Sequence, residues 1–80
     1  MEKYVIKDNL PEGIIKAYSI VRFGRTNAVK RFMTIFKLLN ASGYNTKMTF
    51  RNQKQKPLRG TIQVEIDGFY FYVELYKVNE

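Results

Sequence analysis

The chain has 80 residues, neither cysteine nor histidine, and a net charge of +7 from 14 basic and 7 acidic side chains. This length predicts a single domain, 1–80, with a small core. The missing Cys and His exclude disulfides, zinc sites built on thiolates or imidazoles, and Ser-His or Cys-His nucleophile systems. Because the sequence shows neither an apolar run of about 20 residues nor a signal-peptide core, we expect a cytoplasmic (intracellular) protein without a membrane partner.

The positive charge is concentrated in the middle of the chain. No acidic residue lies between residues 13 and 64, whereas eleven basic residues do: Lys16, Arg22, Arg25, Lys30, Arg31, Lys37, Lys47, Arg51, Lys54, Lys56 and Arg59. Such an uncompensated run is typical of a protein with a polyanionic partner, although lysines that only maintain solubility give the same pattern. We expect the partner to be nucleic acid, as RNA or single-stranded DNA, or an acidic protein surface.

The N-terminal third predicts a short strand followed by a helix. Residues 4–7 form the strand. A helix is predicted over residues 10–23, where Asn9 can cap the N-terminus and Glu12 completes a capping box. Apolar residues recur there at helical spacing: Leu10, Ile14, Ala17, Tyr18 and Val21. Residues 17–23 also fit a β-strand, because their side chains favour strands, and the sequence does not decide between the two.

A second helix is predicted over residues 27–40. Gly24 would end the first helix in the left-handed conformation, and Thr26 or Asn27 would cap the second. One apolar stripe follows the 3.6-residue period: Ala28, Phe32, Ile35, Phe36 and Leu39. A stripe of this kind indicates the core-facing side of a helix.

Three strands complete the predicted fold. They cover residues 44–51, 60–66 and 69–78, with a polar, basic loop at 52–58. Asp67-Gly68 between two alternating runs indicates a two-residue hairpin turn. The predicted order is β-α-α-β-β-β, an α+β fold with two layers, in which two helices pack on one face of a three- to four-stranded antiparallel sheet. The other face of such a sheet remains in solvent.

The hairpin turn sets which residues share that solvent face. Ile66 opposite Phe69 places the aliphatic residues and phenylalanines of both strands toward the core. The opposite side carries Tyr70, Tyr72 and Tyr76, and we call it the tyrosine face. Its other predicted members are Lys47, Thr49, Arg51, Arg59, Thr61, Gln63, Glu65 and Glu74. Proteins hold single-stranded nucleic acid in this way, with bases stacked on aromatic rings and phosphates near cations.

These patterns predict a small, non-catalytic nucleic-acid-binding module for single-stranded or structured RNA or DNA, without metal or cofactor. The predicted contact residues are Lys30, Arg31, Lys47, Arg51, Lys54, Lys56, Arg59, Tyr70, Tyr72 and Tyr76. A possible anion site is predicted at the N-terminus of helix 27–40, from Arg22, Arg25, Thr26 and Asn27. The same segment also fits an ordinary solvated turn between helices.

Other functions fit the same tyrosine face. Tyrosine and arginine anchor protein interfaces, so the chain could be a phage- or mobile-element-type inhibitor of a host protein or nucleoprotein complex. Tyrosine is also a good strand former and is often exposed for that reason alone. A homodimer could form through the tyrosine face, or through a sheet edge that contains Tyr4 or Val78.

One enzyme class remains as a further alternative. The segments Pro57-Leu58-Arg59-Gly60 and Asp67-Gly68-Phe69-Tyr70 are similar to a strand pair of the RelE-type mRNA interferase toxins, as are the basicity and the predicted element order. The resemblance implies cleavage of messenger RNA on the ribosome by basic and aromatic residues of a sheet. That family commonly has an arginine after the hairpin tyrosine, where this chain has Phe71.

Overall fold

The computed structural model describes residues 2–16 and 21–78. Its elements are β1 (Lys3–Asp8), α1 (Arg25–Ala41), β2 (Asn45–Arg51), β3 (Arg59–Ile66) and β4 (Phe69–Val78). The strands form one antiparallel sheet in the order β1-β4-β3-β2. Because α1 packs on one side of this sheet, the described residues form a two-layer α+β domain with one helix.

The β3–β4 hairpin has the predicted register. Asp67 and Gly68 both adopt positive φ, at 53° and 82°, as a type I′ turn requires. Ile66 is therefore opposite Phe69, and the pairing continues through Val64 with Phe71. The alternation of side chains along both strands follows from this turn.

The core lies between α1 and the sheet. The buried stripe of α1 consists of Ala28, Phe32, Ile35 and Leu39, at the spacing of one helical face. It meets buried side chains from the strands and from the loop before β3: Tyr4, Ile6, Leu58, Ile62, Val64, Val73 and Leu75. Phe32 stacks on Phe50 with 5.6 Å between ring centres.

The ends of α1 differ slightly from the prediction. Gly24 is the N-cap, with φ −68° and ψ 167°, so it begins this helix and does not end a preceding one in the left-handed region. The predicted caps Thr26 and Asn27 lie inside the first turn. At the C-terminus, Gly43 has φ +87° and its N–H donates to the Asn40 carbonyl at 3.0 Å.

The predicted pair of helices is wrong. Residues 10–16 and 21–23 are not helical, so the described part of the chain has one helix where two were expected. Phe23 instead pairs with Tyr4 in an isolated antiparallel bridge with two backbone hydrogen bonds of 2.8 Å. The helix and strand alternatives concerned residues 17–23, of which 17–20 lie outside the described residues.

Long-range bonds explain why no helix forms directly after β1 in residues 9–16. The Asn9 side chain, predicted to cap a helix, accepts a hydrogen bond from the Tyr72 N–H at 2.7 Å. The Asp8 carboxylate accepts from the Leu10 N–H at 3.0 Å, which makes an Asx-turn. Gly13 has φ +88°, outside the helical region. The segment therefore turns over the end of the sheet and places Leu10 in the core.

Candidate nucleic-acid interface

The tyrosine face is the side of the sheet opposite α1. Tyr70 is 56% and Tyr72 39% exposed, while Tyr76 is half-buried. The Arg59 guanidinium carbon lies 5.7 Å from the centre of the Tyr76 ring, a cation–π distance. An aromatic surface and a cation are therefore already in contact at this position.

Charge is unevenly distributed along the tyrosine face. At one end of the sheet, Arg51 is directly opposite Arg59, and the basic loop 52–58 follows with Lys54 and Lys56. We call this group of four cations the basic end. Arg51 is held there by a hydrogen bond of 3.1 Å to the Pro57 carbonyl. Two arginines opposed across strands repel each other, and a bound anion would relieve that repulsion.

The two acidic residues of the face lie at different distances from the basic end. Glu65 is opposite Tyr70 near the hairpin turn, and its carboxylate accepts a hydrogen bond from Asn45 at 3.4 Å. Glu74 is opposite Lys7 on β1 and Thr61 on β3, and Thr61 is the next residue of this face after Arg59. Glu65 therefore makes the hairpin end of the face less favourable to phosphate than the basic end.

Two shallow hollows follow the seam between β1 and β4. One, of about 290 Å³, is lined by Lys7, Asp8, Asn9, Tyr72 and Glu74. The other, of about 230 Å³, is lined by Val5, Lys7, Arg22, Tyr76 and Val78. Lys7 borders both hollows, and each contains one of the tyrosines. The tyrosine face is therefore grooved along this seam.

The sequence prediction missed Lys7. This residue belongs to the tyrosine face because β1 pairs with β4, and nothing in the local pattern of either strand indicates that pairing. The alternation of side chains along β1 was the available signal. It indicates that Val5 and Lys7 share one side of the strand, but not which strand lies beside them. Arg22 was predicted elsewhere, in the anion site, and lies beside Tyr76.

The structure divides the predicted contact residues into three groups. Lys47, Arg51, Arg59 and the three tyrosines lie on the tyrosine face, while Lys54 and Lys56 lie in the adjoining loop. Lys30 and Arg31 lie on α1, which occupies the other layer. They are not brought together with the tyrosines.

The four residues of the predicted anion site do not line one common hollow. Arg25 donates hydrogen bonds to the Lys56 carbonyl at 2.8 Å, the Gln53 carbonyl at 2.9 Å and the Asn52 side chain at 3.2 Å. Its guanidinium thereby holds the basic loop against the start of α1. Arg25 and Thr26 line a hollow of about 290 Å³ with Val29 and Asn52, whereas Asn27 is exposed.

Tyr4 completes the attachment of the basic loop. Its buried hydroxyl donates to the Glu2 carboxylate at 2.7 Å and accepts from the Leu58 N–H at 3.3 Å. The Tyr4 hydrogen bond, helped by the positive charge of Arg25 and Lys77, lowers the pKa of Glu2 below its ordinary value although desolvation acts to raise it. Glu2 also pairs with Arg25 at 3.4 Å. The loop that carries Lys54 and Lys56 is thus fixed at both ends.

Neither a metal cluster nor a membrane span occurs among the described residues. Within residues 2–16 and 21–78, no three acidic side chains are close enough together to hold a metal ion. The same residues contain no helix long and apolar enough to cross a membrane.

Comparison of the chain with protein-family models, curated proteins and solved structures finds no match. The geometry and the charge of the tyrosine face are therefore the basis on which a function can be inferred.

Proposed function

We propose that this protein is a non-catalytic module that binds single-stranded or structured nucleic acid on its tyrosine face. The observation that carries the proposal is the contact of Arg59 with the Tyr76 ring beside the opposed Arg51. A base can stack on such a ring at about 1–3 kcal/mol, while the neighbouring guanidinium groups neutralise phosphate.

The spacing of the tyrosines suits bases that are splayed apart. Tyr70 and Tyr72 lie two residues apart on one side of β4, which separates their positions by about 7 Å. Tyr76 lies four residues further along. Bases turned out from a single strand or a loop can reach such positions, whereas bases within a duplex cannot.

The charges favour one placement of the phosphates. Lys7 and Lys47 flank the tyrosines from the two outer strands, and Arg51 and Arg59 stand at one end. Glu65 occupies the opposite end. The backbone of the nucleic acid would therefore follow the basic end and Lys47, away from Asp8 and Glu74 on the seam along β1, with its bases directed toward β4.

Fluorescence anisotropy with labelled single-stranded DNA and RNA tests this proposal. We expect binding at about 50 mM salt that weakens by a decade or more at about 200 mM, because phosphate contacts release counterions. Tyr72→Ala should weaken binding about 5- to 150-fold, the equivalent of one stacked base.

Phe69→Ala is the matched control for Tyr72→Ala. It removes a ring that is 70% exposed from the same strand but on the other side of the sheet. Equal losses from the two variants, or no binding at low salt, would contradict the proposal.

A second function is favoured by the hairpin tip. Phe69 and Tyr70 are 70% and 56% exposed, and they lie next to Glu65 and Asp67, where phosphate is disfavoured. Exposed aromatic rings of this kind anchor protein interfaces, as an inhibitor of a host protein or nucleoprotein complex would require. A complex that persists at about 0.5 M salt and is lost in Phe69→Ala would support this alternative, because exposed charges are strongly screened there.

The order of the elements does not support cleavage of messenger RNA. The resemblance to RelE-type toxins included the order β-α-α-β-β-β, and the described residues have β-α-β-β-β instead.

A further inference from the structure

β2 is an outer strand with an open edge. Among the described residues it pairs with β3 only. The other outer strand, β1, is partly covered, because Tyr4 exchanges two backbone hydrogen bonds with Phe23. An uncovered strand edge presents unpaired N–H and C=O groups to a possible partner.

The hairpin turn determines which groups of β2 point outward. A two-residue turn makes Ile66 and Phe69 a hydrogen-bonded pair, and such pairs alternate along an antiparallel ladder. Thr61, Gln63 and Glu65 therefore direct their backbone groups toward β2, where they face Thr49, Lys47 and Asn45. The backbone groups that remain for the open edge belong to Thr46, Met48 and Phe50.

The structure contains an independent check of this alternation. The same alternation can be extended across β4 to β1. It predicts that the backbone groups of Tyr72 point toward β1 and that the backbone groups of Tyr4 point away from the sheet. Tyr72 indeed exchanges hydrogen bonds with Asn9, and Tyr4 exchanges them with Phe23.

Apolar side chains accompany the open edge. Met48 and Phe50 of β2 are half-buried, as are Val29, Met33 and Phe36 of α1. The three helical residues form one stripe with Asn40, and the Asn40 side chain accepts a hydrogen bond from the Thr46 hydroxyl. This stripe therefore faces the same side of the molecule as β2, where a partner would cover it.

We propose that a second copy of this chain pairs with β2 in antiparallel orientation, centred on Met48. Met48 then faces the partner's Met48, and Thr46 faces the partner's Phe50. In each pair, both residues have outward backbone groups that can bond to each other. Because every contact occurs twice about a two-fold axis, the interface is isologous and closed. Four strands from each copy form one sheet, with both tyrosine faces on one side and both helices on the other.

Charge selects this register over the two adjacent ones. When the pairing is centred on Met48, Lys47 faces the partner's Thr49, and Arg51 faces the partner's Asn45. A shift that centres the pair on Lys47 opposes two lysines, and one that centres it on Thr49 opposes Lys47 to the partner's Arg51. Like charges directly opposite each other are destabilising, so of these three registers only the central one avoids them.

The first test is the mass of the protein in solution after nuclease treatment, by sedimentation or light scattering. At about 0.3 M salt the screening length is well below about 10 Å, so the charge of +7 is largely screened. At about 100 μM protein we then expect twice the chain mass of 9.5 kDa. Thr49→Lys places a lysine opposite the partner's Lys47 at two symmetric positions and should weaken the dimer about fivefold. Thr49→Glu should strengthen it by a similar factor.

Thr61→Lys is the matched control, because it adds the same charge to the same face on β3, one strand away from the edge. It should leave the dimer unchanged. A monomer of the unaltered chain at this concentration overturns the proposal and leaves the edge to a different chain. A dimer insensitive to Thr49→Lys overturns it as well.

The second test fixes the register. The chain has no cysteine, so Lys47→Cys and Thr49→Cys can be prepared separately and mixed. Opposed residues of this kind have α-carbons about 4.5 Å apart, within reach of a disulfide. We expect a cross-link in the mixture and none in either variant alone. A cross-link in one variant alone indicates one of the shifted registers and overturns the proposed one.

Discussion

The ring of Phe32 lies directly against the backbone of Gly60. A β-carbon added at residue 60 would stand 2.7 Å from Cε2 of that ring and 3.0 Å from Cδ1 of Phe50. Phe32 is completely buried and stacked on Phe50, so the ring has little room to move. The single glycine of β3 is what allows α1 to approach the sheet this closely.

Gly60→Ala should therefore destabilise the protein. Overpacking of a filled core costs about 1–3 kcal/mol. We expect urea denaturation to show that the free energy of unfolding falls by an amount in this range. The alanine itself favours the folded state slightly, since it restricts the unfolded chain more than glycine does. A stability equal to or above that of the unaltered protein would show that Phe32 can move aside.

A double-mutant cycle identifies the cause of that loss. Phe32→Leu removes the ring atoms that Gly60→Ala would touch. Because the two residues are in contact, the double variant should lose less free energy than the sum of the single variants. Simple additivity would indicate that the cost of Gly60→Ala arises elsewhere.

Tyr4→Phe should cost about 1–3 kcal/mol of stability, because it leaves the buried N–H of Leu58 without an acceptor. That N–H lies 3.3 Å from the Tyr4 hydroxyl, and Leu58 is 1% exposed. Denaturation with urea measures the effect. Tyr44→Phe is the control, because it removes the hydroxyl of a tyrosine that is half-buried rather than fully buried. Equal losses would show that the hydroxyl of Tyr4 has no special role.

Arg25→Lys should loosen the basic loop. A lysine cannot reproduce the fork that reaches the Lys56 carbonyl, the Gln53 carbonyl and the Asn52 side chain. We expect faster trypsin cleavage after Lys54 at native conditions. Arg31→Lys, an exposed arginine on α1, should leave the cleavage rate unchanged, and a similar acceleration in both variants would contradict this role of Arg25.

The acid stability of the protein should depend on Glu2. The hydrogen bond from Tyr4 lowers its pKa in the folded state, so the carboxylate stabilises the fold fully above the ordinary pKa of about 4.3. That contribution is lost as the pH falls through the lowered folded-state pKa.

Urea midpoints across the acid range test this dependence. The unaltered protein should exceed Glu2→Gln in stability at pH 7, and the difference should disappear in strong acid. Glu12→Gln, at an exposed glutamate in the loop after β1, provides the comparison. A difference between the unaltered protein and Glu2→Gln that does not change with pH would rule out the ionised carboxylate as the cause.

The proposed interface predicts different roles for two lysines. Lys47 lies on the tyrosine face and Lys37 is exposed on α1. Lys47→Ala should reduce the slope of log affinity against log salt by about 0.7, the loss of one phosphate contact on a single strand. Lys37→Ala, with the same change in net charge, should leave the slope unchanged. Anisotropy titrations at several salt concentrations distinguish them.

Local patterns in the sequence predicted much of the fold and of the tyrosine face. The apolar stripe from Ala28 to Leu39 identified α1, and Asp67-Gly68 identified the hairpin and its register. These features depend on neighbours within a few residues or across a two-residue turn. For the same reason, the positions of Tyr70, Tyr72 and Tyr76 on one side of β4 follow from the sequence alone.

The segment after β1 depended on contacts that no local pattern contains. Asn9 and Glu12 match a helix start, yet the Asn9 side chain bonds to Tyr72, 63 residues away. The pairing of β1 with β4 likewise places Lys7 on the tyrosine face, and Arg25 attaches the basic loop across 28 to 31 residues. Hydrogen-bonding groups that serve equally well in a local cap and in a distant contact leave no periodic signal. Local periodicity therefore determined α1, the strands and their faces, whereas tertiary hydrogen bonds decided the path of residues 9–16 and which polar side chains meet.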